Sequence, residues 1–174
     1  MKTILITGAT SGIGLAAAKK LANEKNQLIL CGRRQRKLDE ISEELSKSAN
    51  VLSLCFDVSN KNEVNRLLND LPEQFSSVDV LINNAGNAHG LDTIQDGSLD
   101  DWDNMIDSNV KGLLYVSRVI IPKMIEQKCG HIINIGSLAG REVYEKGNIY
   151  CATKHAVNAI SKAMRIDLNK TGIK

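Results

Sequence analysis

The chain has 174 residues and a formal net charge of +2, with its 22 basic and 20 acidic residues interleaved. Only 3% of the residues are aromatic and no apolar run reaches the ~18 residues of a membrane span, which excludes the usual patterns of nucleic-acid and membrane partners. Because the four cysteines are scattered without metal-ligand spacing, we expect reduced thiols, a cytoplasmic location and no metal site.

Short apolar runs alternate with longer amphipathic stretches, a pattern typical of βαβ units around a parallel sheet. The predicted strands are Thr3–Thr7, Gln27–Cys31, Val51–Phe56, Val78–Ile82 and Gly130–Ile135. The predicted helices are Ile13–Asn23, Arg34–Lys47, Lys61–Leu71, Leu99–Gln127 and Ile149–Lys170. The pattern predicts an α/β fold, a doubly wound, Rossmann-like parallel sheet in a three-layer αβα arrangement.

Two capping residues and the end of the chain add detail to this prediction. Ser59 is a plausible N-cap for the third helix, and Gly172 is a plausible residue to end the last one. Ile173 and Lys174 resemble the first step of a sixth strand, and a doubly wound dinucleotide fold continues beyond that point. We therefore expect residues 1–174 to form a single Rossmann-like domain, truncated at the C-terminus and lacking the last strands.

Three glycines lie between the first predicted strand and the first predicted helix. Gly8, Gly12 and Gly14 would let the backbone approach a pyrophosphate, and the helix N-terminus would supply free N–H groups. Their Gly-x-x-x-Gly-x-Gly spacing differs from the Gly-x-Gly-x-x-Gly of the general dinucleotide fingerprint. Three glycines in this context favour a phosphate site over a tight turn that merely needs glycine.

The end of the second strand bears on the choice between NAD and NADP. An NAD site usually has an acid there for the ribose hydroxyls, but this chain has Arg33 and Arg34 and no carboxylate before Asp39. Two arginines at a helix start are electrostatically misplaced, and a bound 2′-phosphate would remove the misfit. The alternative is a pair of solvated surface arginines. We predict NADP(H).

A tyrosine and a lysine share one face of the last predicted helix. Tyr150 and Lys154 stand at i and i+4, so an ammonium would lie close to a phenol. A free phenol has a pKa of about 10, and a nearby cation favours the phenolate. Any amphipathic helix can produce this pair by accident. Together with Ser137 and the glycine turn, however, it indicates a nicotinamide-dependent enzyme acting on carbonyls or alcohols.

With these residues in place, the chain resembles the short-chain dehydrogenase/reductase family over all 174 residues. The motifs that carry the resemblance are the turn Thr7–Gly14, Asp57, the segment Asn83–Gly86, Asn109, Ser137, and the pair Tyr150 and Lys154. The resemblance implies four catalytic residues, namely Asn109, Ser137, Tyr150 and Lys154. In that scheme the tyrosine exchanges the proton, the serine holds the carbonyl oxygen and the lysine holds the nicotinamide ribose. Asn109 would bind a water of a proton relay.

The same resemblance implies which residues contact the dinucleotide. They are Gly8, Thr10, Ser11, Gly12, Ile13, Gly14, Arg33, Arg34, Asp57, Val58, Asn84, Ala85, Gly86, Asn109, Tyr150 and Lys154. It also implies a homo-oligomer, dimer or tetramer, in which the two long helices pair across subunits.

Three segments resemble one NADP-dependent branch of the family. They are Cys31–Gln35, Gly136–Arg141 and Tyr150–Lys154. That branch oxidises serine, allo-threonine and other short 3-hydroxy acids, or runs in reverse, so the implied partner is a small hydroxy or keto substrate. Reductases of 3-oxoacyl thioesters share most of these segments and stay an alternative, as does a dinucleotide-binding protein without turnover. Arg141 and Tyr144 lie in a loop that either contacts a substrate carboxylate or is simply solvated.

Overall fold

A computed structural model describes residues 1–174 and contains one sheet of five parallel strands in the order β3-β2-β1-β4-β5. The strands are β1 (Lys2–Thr7), β2 (Asn26–Gly32), β3 (Asn50–Cys55), β4 (Val80–Asn83) and β5 (His131–Asn134). In the central register Ile4 of β1 pairs with Leu28 on one side and Val80 on the other. The chain order reverses between β1 and β4, which confirms the predicted doubly wound sheet.

Helices cover both faces of this sheet. They are α1 (Gly12–Leu21), α2 (Gln35–Leu45), α3 (Lys61–Asn69), α4 (Leu99–Ile106), α5 (Leu113–Gln127) and α6 (Asn148–Asp167). Because side chains alternate along a strand, Leu5 packs with α3 and α5, whereas Ile4 and Ile6 pack with α1 and α2. The central strands are therefore apolar on both faces and the predicted three layers are confirmed. None of the helices combines the length and the apolar composition needed to cross a membrane.

The predicted helix Leu99–Gln127 is interrupted. A π-helical turn, Asp107–Gly112, separates α4 from α5, and Ser108 and Asn109 are buried in it. The π-helical turn was not predicted, because it lies inside one continuous amphipathic stretch without a proline in the turn to mark it.

Both predicted helix caps are wrong. Asn60 caps α3, because its Oδ1 accepts hydrogen bonds from the amides of Asn62 and Glu63, while Ser59 is bonded to Asp57 instead. The last helix ends at Asp167. Gly172 does have a positive φ of 84°, but it lies in the turn beyond the helix.

The final residues lie beside β5. Ile173 forms a parallel bridge with Gly130, and the Lys174 amide donates to the Gly130 carbonyl over 2.9 Å. The Lys174 carbonyl in turn accepts from the Ile132 amide over 2.8 Å. The predicted strand step at Ile173 and Lys174 is confirmed.

Candidate functional site

The principal cavity opens at the carboxyl ends of the strands, where the strand order reverses between β1 and β4. It measures about 670 Å³, and we call it the switch-point cavity. Crevices at this position are where open α/β sheets bind ligands. The predicted cofactor residues that line it are Gly8, Thr10, Ser11, Gly12, Ile13, Arg33, Arg34, Asp57, Val58, Asn84, Ala85, Gly86, Tyr150 and Lys154. Gly14 and Asn109 were also predicted, and neither lies on the cavity wall.

The glycine turn is interlocked with the segment that follows β4. Gly8 has a φ of 65°, and a Cβ at this position would lie 2.8 Å from Nδ2 of Asn84. That nitrogen donates to the carbonyls of Thr7 (2.9 Å) and Gly8 (3.1 Å). The Thr7 hydroxyl accepts from the amides of Asn84 and Ala85, both over 3.0 Å. The turn thus needs glycine at residue 8 and is fixed to the neighbouring strand.

The N-terminus of α1 is free of internal caps. Ser11 is its N-cap but makes no side-chain capping hydrogen bond, and the first turn contains no acidic residue. Gly14 lies underneath, where a side chain would collide with Asn84 and the Gly8 carbonyl. Free backbone N–H groups at a helix N-terminus attract anions, so this end of α1 is suited to a phosphate.

Two guanidinium groups border the cavity at the end of β2. Nη2 of Arg34 donates to the hydroxyls of Thr10 (2.7 Å) and Ser11 (3.1 Å), which draws it towards the glycine turn. Nη1 of Arg33 lies 3.2 Å from Oδ2 of Asp57. The first turn of α2 contains no acidic residue, so the basic pair has no carboxylate partner on its own helix.

Asp57 is held as a carboxylate. Partial burial opposes its ionisation, but the amide of Ser59 (2.9 Å), the hydroxyl of Ser59 (2.7 Å) and the Arg33 guanidinium outweigh that effect. Together they hold the pKa of Asp57 below its usual value. A charged acceptor therefore stands on the wall of the switch-point cavity.

Tyr150 and Lys154 lie together on α6, as predicted. Tyr150 is half-buried and Lys154 is only 9% exposed, with Nζ 5.9 Å from the centroid of the Tyr150 ring. The same Nζ donates to the Ile135 carbonyl over 3.0 Å and has no carboxylate partner. Burial lowers the pKa of Lys154 below its ordinary value.

Ser137 follows β5 and is exposed. Its Oγ accepts a hydrogen bond from the Ala139 amide over 3.2 Å, which leaves the hydroxyl proton available to another acceptor. The turn it begins packs tightly on α6, because a Cβ at Gly140 would lie 2.6 Å from the Lys154 carbonyl oxygen. Gly136, its neighbour, lines the switch-point cavity, whereas Ser137 does not.

Asn109 acts as a clamp between two chain segments. Its Oδ1 accepts from the Asn87 amide, and its Nδ2 donates to the Asn87 carbonyl, both over 2.8 Å. Nδ2 also donates to the Thr153 hydroxyl over 3.1 Å. The side chain thus ties the loop after β4 to α6, one residue before Lys154. A role in a proton relay stays a prediction.

Asn87 is a site residue that the sequence reasoning did not include. It lines the switch-point cavity, and its Oδ1 is buried with no hydrogen-bond partner in the protein. Its position directly after the predicted Asn83–Gly86 segment was the only signal that could have found it.

A second cavity of about 470 Å³ adjoins the first, and we call it the side chamber. Ala88 and Tyr150 line both cavities, so the phenol stands at their junction. Tyr144 lines the chamber, in agreement with its candidacy for substrate contact, whereas Arg141 does not. Lys146 lines it too and was not predicted. No group of three or more His, Cys, Asp or Glu side chains is placed to hold a metal ion.

The chain is similar in sequence to a known enzyme family over nearly its whole length. Residues 2–174 match the family model described as short chain dehydrogenase. The NADP-dependent 3-hydroxy acid dehydrogenase of Salmonella typhi is 42% identical over 171 residues, which cover 98% of this chain and 68% of that protein.

Two solved structures are also similar. The crystal structure of serine dehydrogenase from Escherichia coli has a TM-score of 0.94 and 40% identity, covering 98% of this chain and 78% of that chain. The closed form of serine dehydrogenase complexed with NADP+ has a TM-score of 0.95 and 40% identity, covering 99% of this chain and 68% of that chain.

Proposed function

We propose that this chain, which belongs to the short-chain dehydrogenase family, is an NADP(H)-dependent oxidoreductase that interconverts the alcohol of a short hydroxy acid and the corresponding carbonyl group, a ketone where the alcohol is secondary. The observation that carries the proposal is the position of Tyr150 on the walls of both cavities, with a buried ammonium beside its ring. One cavity suits a dinucleotide and the other a small substrate. The relatives named above, which act on 3-hydroxy acids or serine, support the same reading.

The residues present fit NADP(H) better than NAD(H). Free N–H groups at the start of α1 suit the pyrophosphate, and Arg33 and Arg34 suit a further phosphate on the ribose. Asp57, the one carboxylate that lines the switch-point cavity, is already paired with Arg33 and Ser59 rather than free for ribose hydroxyls. We assign residues 1–174 to one NAD(P)-binding domain.

The cofactor, when bound, supplies or accepts the hydride. In the reducing direction Tyr150 gives its phenolic proton to the oxygen on which negative charge develops. The Ser137 hydroxyl would donate a hydrogen bond to the same oxygen, and this bond strengthens as the charge grows. In oxidation both groups act in reverse, with Tyr150 as the base.

Lys154 and Asn109 support the phenol in different ways. Lys154 is held beside the phenol by its hydrogen bond to the Ile135 carbonyl, which keeps its ammonium next to the Tyr150 ring. Asn109 is a positioning residue in this proposal, since its side chain fixes Asn87 and the turn of α6 that carries Lys154.

The proposed substrate is a short 3-hydroxy acid such as serine. The test measures oxidation of serine and of 3-hydroxybutyrate by the full-length protein, with NADP+ and with NAD+. Reduction of an acetoacetyl thioester with NADPH is measured beside it. Oxidation of the acids that is faster with NADP+ than with NAD+, and faster than reduction of the thioester, supports the proposal. Preference for the thioester assigns the chain to acyl reduction instead. Cofactor binding without turnover of any substrate assigns it a binding role.

We further propose a homo-oligomer, dimer or tetramer, assembled through the helical segment 99–127. Ile106, Leu114 and Ile125 expose 37%, 40% and 42% of their surface along that segment, which leaves apolar area for a partner. A monomeric mass in light scattering at working concentration would contradict this assembly.

A further inference from the structure

We propose that Lys146 binds the carboxylate of the substrate and thereby selects hydroxy acids over neutral alcohols, an inference that rests on the function proposed above. The residue lies four positions before Tyr150 and lines the same side chamber. No sequence motif pointed to it.

The lining of the side chamber carries a positive charge and no negative one. Its lining residues are Ala88, His89, Gly90, Leu91, Met105, Tyr144, Lys146, Gly147, Asn148 and Tyr150. They include no aspartate or glutamate, and Lys146 is the one lysine or arginine among them. A chamber with a single cation and a largely uncharged wall favours an anionic group on whatever enters it.

The backbone of Lys146 is in an uncommon conformation for a residue with a side chain. Its φ is 63°, in the left-handed region, and the Gly147 amide closes the turn on the Tyr144 carbonyl over 3.0 Å. Glycine or asparagine occupies such a turn position at lower cost. The Tyr144 ring packs against Gly147, which is buried, so the turn is fixed rather than free.

The ammonium of Lys146 has no partner in the protein. It takes part in none of the ion pairs of the chain, although Asp92 and Asp101 line a smaller neighbouring cavity together with Lys146. Tyr150 does not line that cavity. Asn148 ties the two walls of the side chamber together, since its Nδ2 donates to the Asp92 carbonyl over 2.9 Å. A carboxylate in the chamber would therefore meet an unpaired cation in a fixed loop.

The test compares an acid with its uncharged ester in the full-length protein. Oxidation of 3-hydroxybutyrate and of methyl 3-hydroxybutyrate is measured with NADP+ for wild type, Lys146→Gln, Lys146→Arg and Lys146→Gly. Loss of one charge-assisted contact should lower kcat/KM for the acid about 10- to 100-fold, through KM, and leave the ester unchanged. Lys146→Arg should keep the preference for the acid, and Lys146→Gly should lose it as Lys146→Gln does.

Lys128→Gln is the matched control, because Lys128 is also an exposed lysine with a left-handed backbone (φ 54°) but lies at the end of α5, outside both cavities. It should retain the wild-type preference. If wild type prefers the acid and Lys146→Gln does too, the role of Lys146 is overturned while the proposed function stands. The role of Lys146 is also overturned if Lys146→Gln loses the preference for the acid but Lys146→Gly keeps it. A wild type without preference for the acid overturns the hydroxy-acid function itself.

Discussion

The two cavities that meet at Tyr150 are built from different kinds of backbone. The switch-point cavity is framed by the ends of buried strands, and Thr7 and Asn84 hold its glycine turn with several hydrogen bonds. The side chamber is framed by two loops, and two of its residues, Leu91 and Tyr144, are 68% and 51% exposed.

This difference explains how one chemistry can serve many substrates. The half that would hold the cofactor is fixed by the sheet, so a change there would disturb the fold as well as binding. The half that would hold the substrate is made largely of loops, with Met105 of α4 and Asn148 and Tyr150 of α6 added, and loops vary with little cost to the core. Only Ala88 and Tyr150 belong to both halves, and the proton transfer is assigned to Tyr150.

The largest effect on activity is expected at Tyr150, because it lines both cavities. Tyr150→Phe removes the exchangeable proton but keeps the ring, so kcat should fall by about 10²- to 10⁴-fold, the usual contribution of a general acid. The dissociation constant of NADPH, followed by its fluorescence, should change little. Tyr144→Phe is the matched control, since it removes a phenol from the side chamber alone. Full activity of Tyr150→Phe would overturn the assignment of the proton donor.

The next effect should be confined to the switch-point cavity. Arg33→Ala and Arg34→Ala should each weaken NADPH binding by about 10- to 100-fold, the loss expected for a charge-assisted hydrogen bond. NADH binding should be unchanged, because it lacks the 2′-phosphate. Arg36→Ala serves as control, since Arg36 lies in the first turn of α2, two residues after Arg34, pairs with Glu40 and does not line the cavity. Equal loss of NADH and NADPH would show that the two arginines support the fold rather than the phosphate.

The two halves also differ in how far the sequence predicted them. The glycine turn and the Tyr150–Lys154 pair are local patterns, and their geometry follows from the periods of a strand and a helix. The doubly wound parallel sheet follows from alternating βαβ units with short, right-handed connections. These features were predicted with only small errors in the element ends.

The features that were missed depend on contacts between distant segments. Lys146 is significant only because its loop closes against residues 88–91, some 55 positions earlier, and nothing local marks that contact. The π-helical turn is one additional residue in a long helix, and the choice of Asn60 over Ser59 as a cap depended on Ser59 being bonded to Asp57. Spacing alone does not encode such competition for hydrogen-bond partners.

A smaller effect should follow from the Asn109 clamp, which joins the loop after β4 to α6. Asn109→Ala removes two partly buried hydrogen bonds to Asn87 and a buried one to Thr153, and should lower the free energy of unfolding by about 1–3 kcal/mol. If Asn109 positions the catalytic groups, kcat should also fall at a temperature where the variant stays folded, with NADPH affinity retained. Asn104→Ala, at an exposed residue of α4, is the control for chemical denaturation and kinetics. Unchanged kcat would leave Asn109 a purely structural residue.

The smallest effect concerns the energetic cost of burying Lys154 at the wall of the switch-point cavity. Burial lowers the pKa of Lys154 in the folded chain, while the unfolded chain keeps the ordinary value of about 10.4. Between these two values the unfolded chain binds more protons, so stability rises with pH across that window. At neutral pH the folded chain therefore carries the full cost of a buried charge.

Lys154→Met removes that cost while filling similar space. We expect a small rise in Tm at pH 7, and a gain that shrinks as the pH rises through the lowered pKa of Lys154. Lys162→Met, at an exposed position of the same helix, should show neither change. A lower Tm for Lys154→Met would mean that the hydrogen bond to the Ile135 carbonyl outweighs the cost of burial. A higher Tm together with lost turnover would show that the ammonium is kept for its chemistry at the expense of stability.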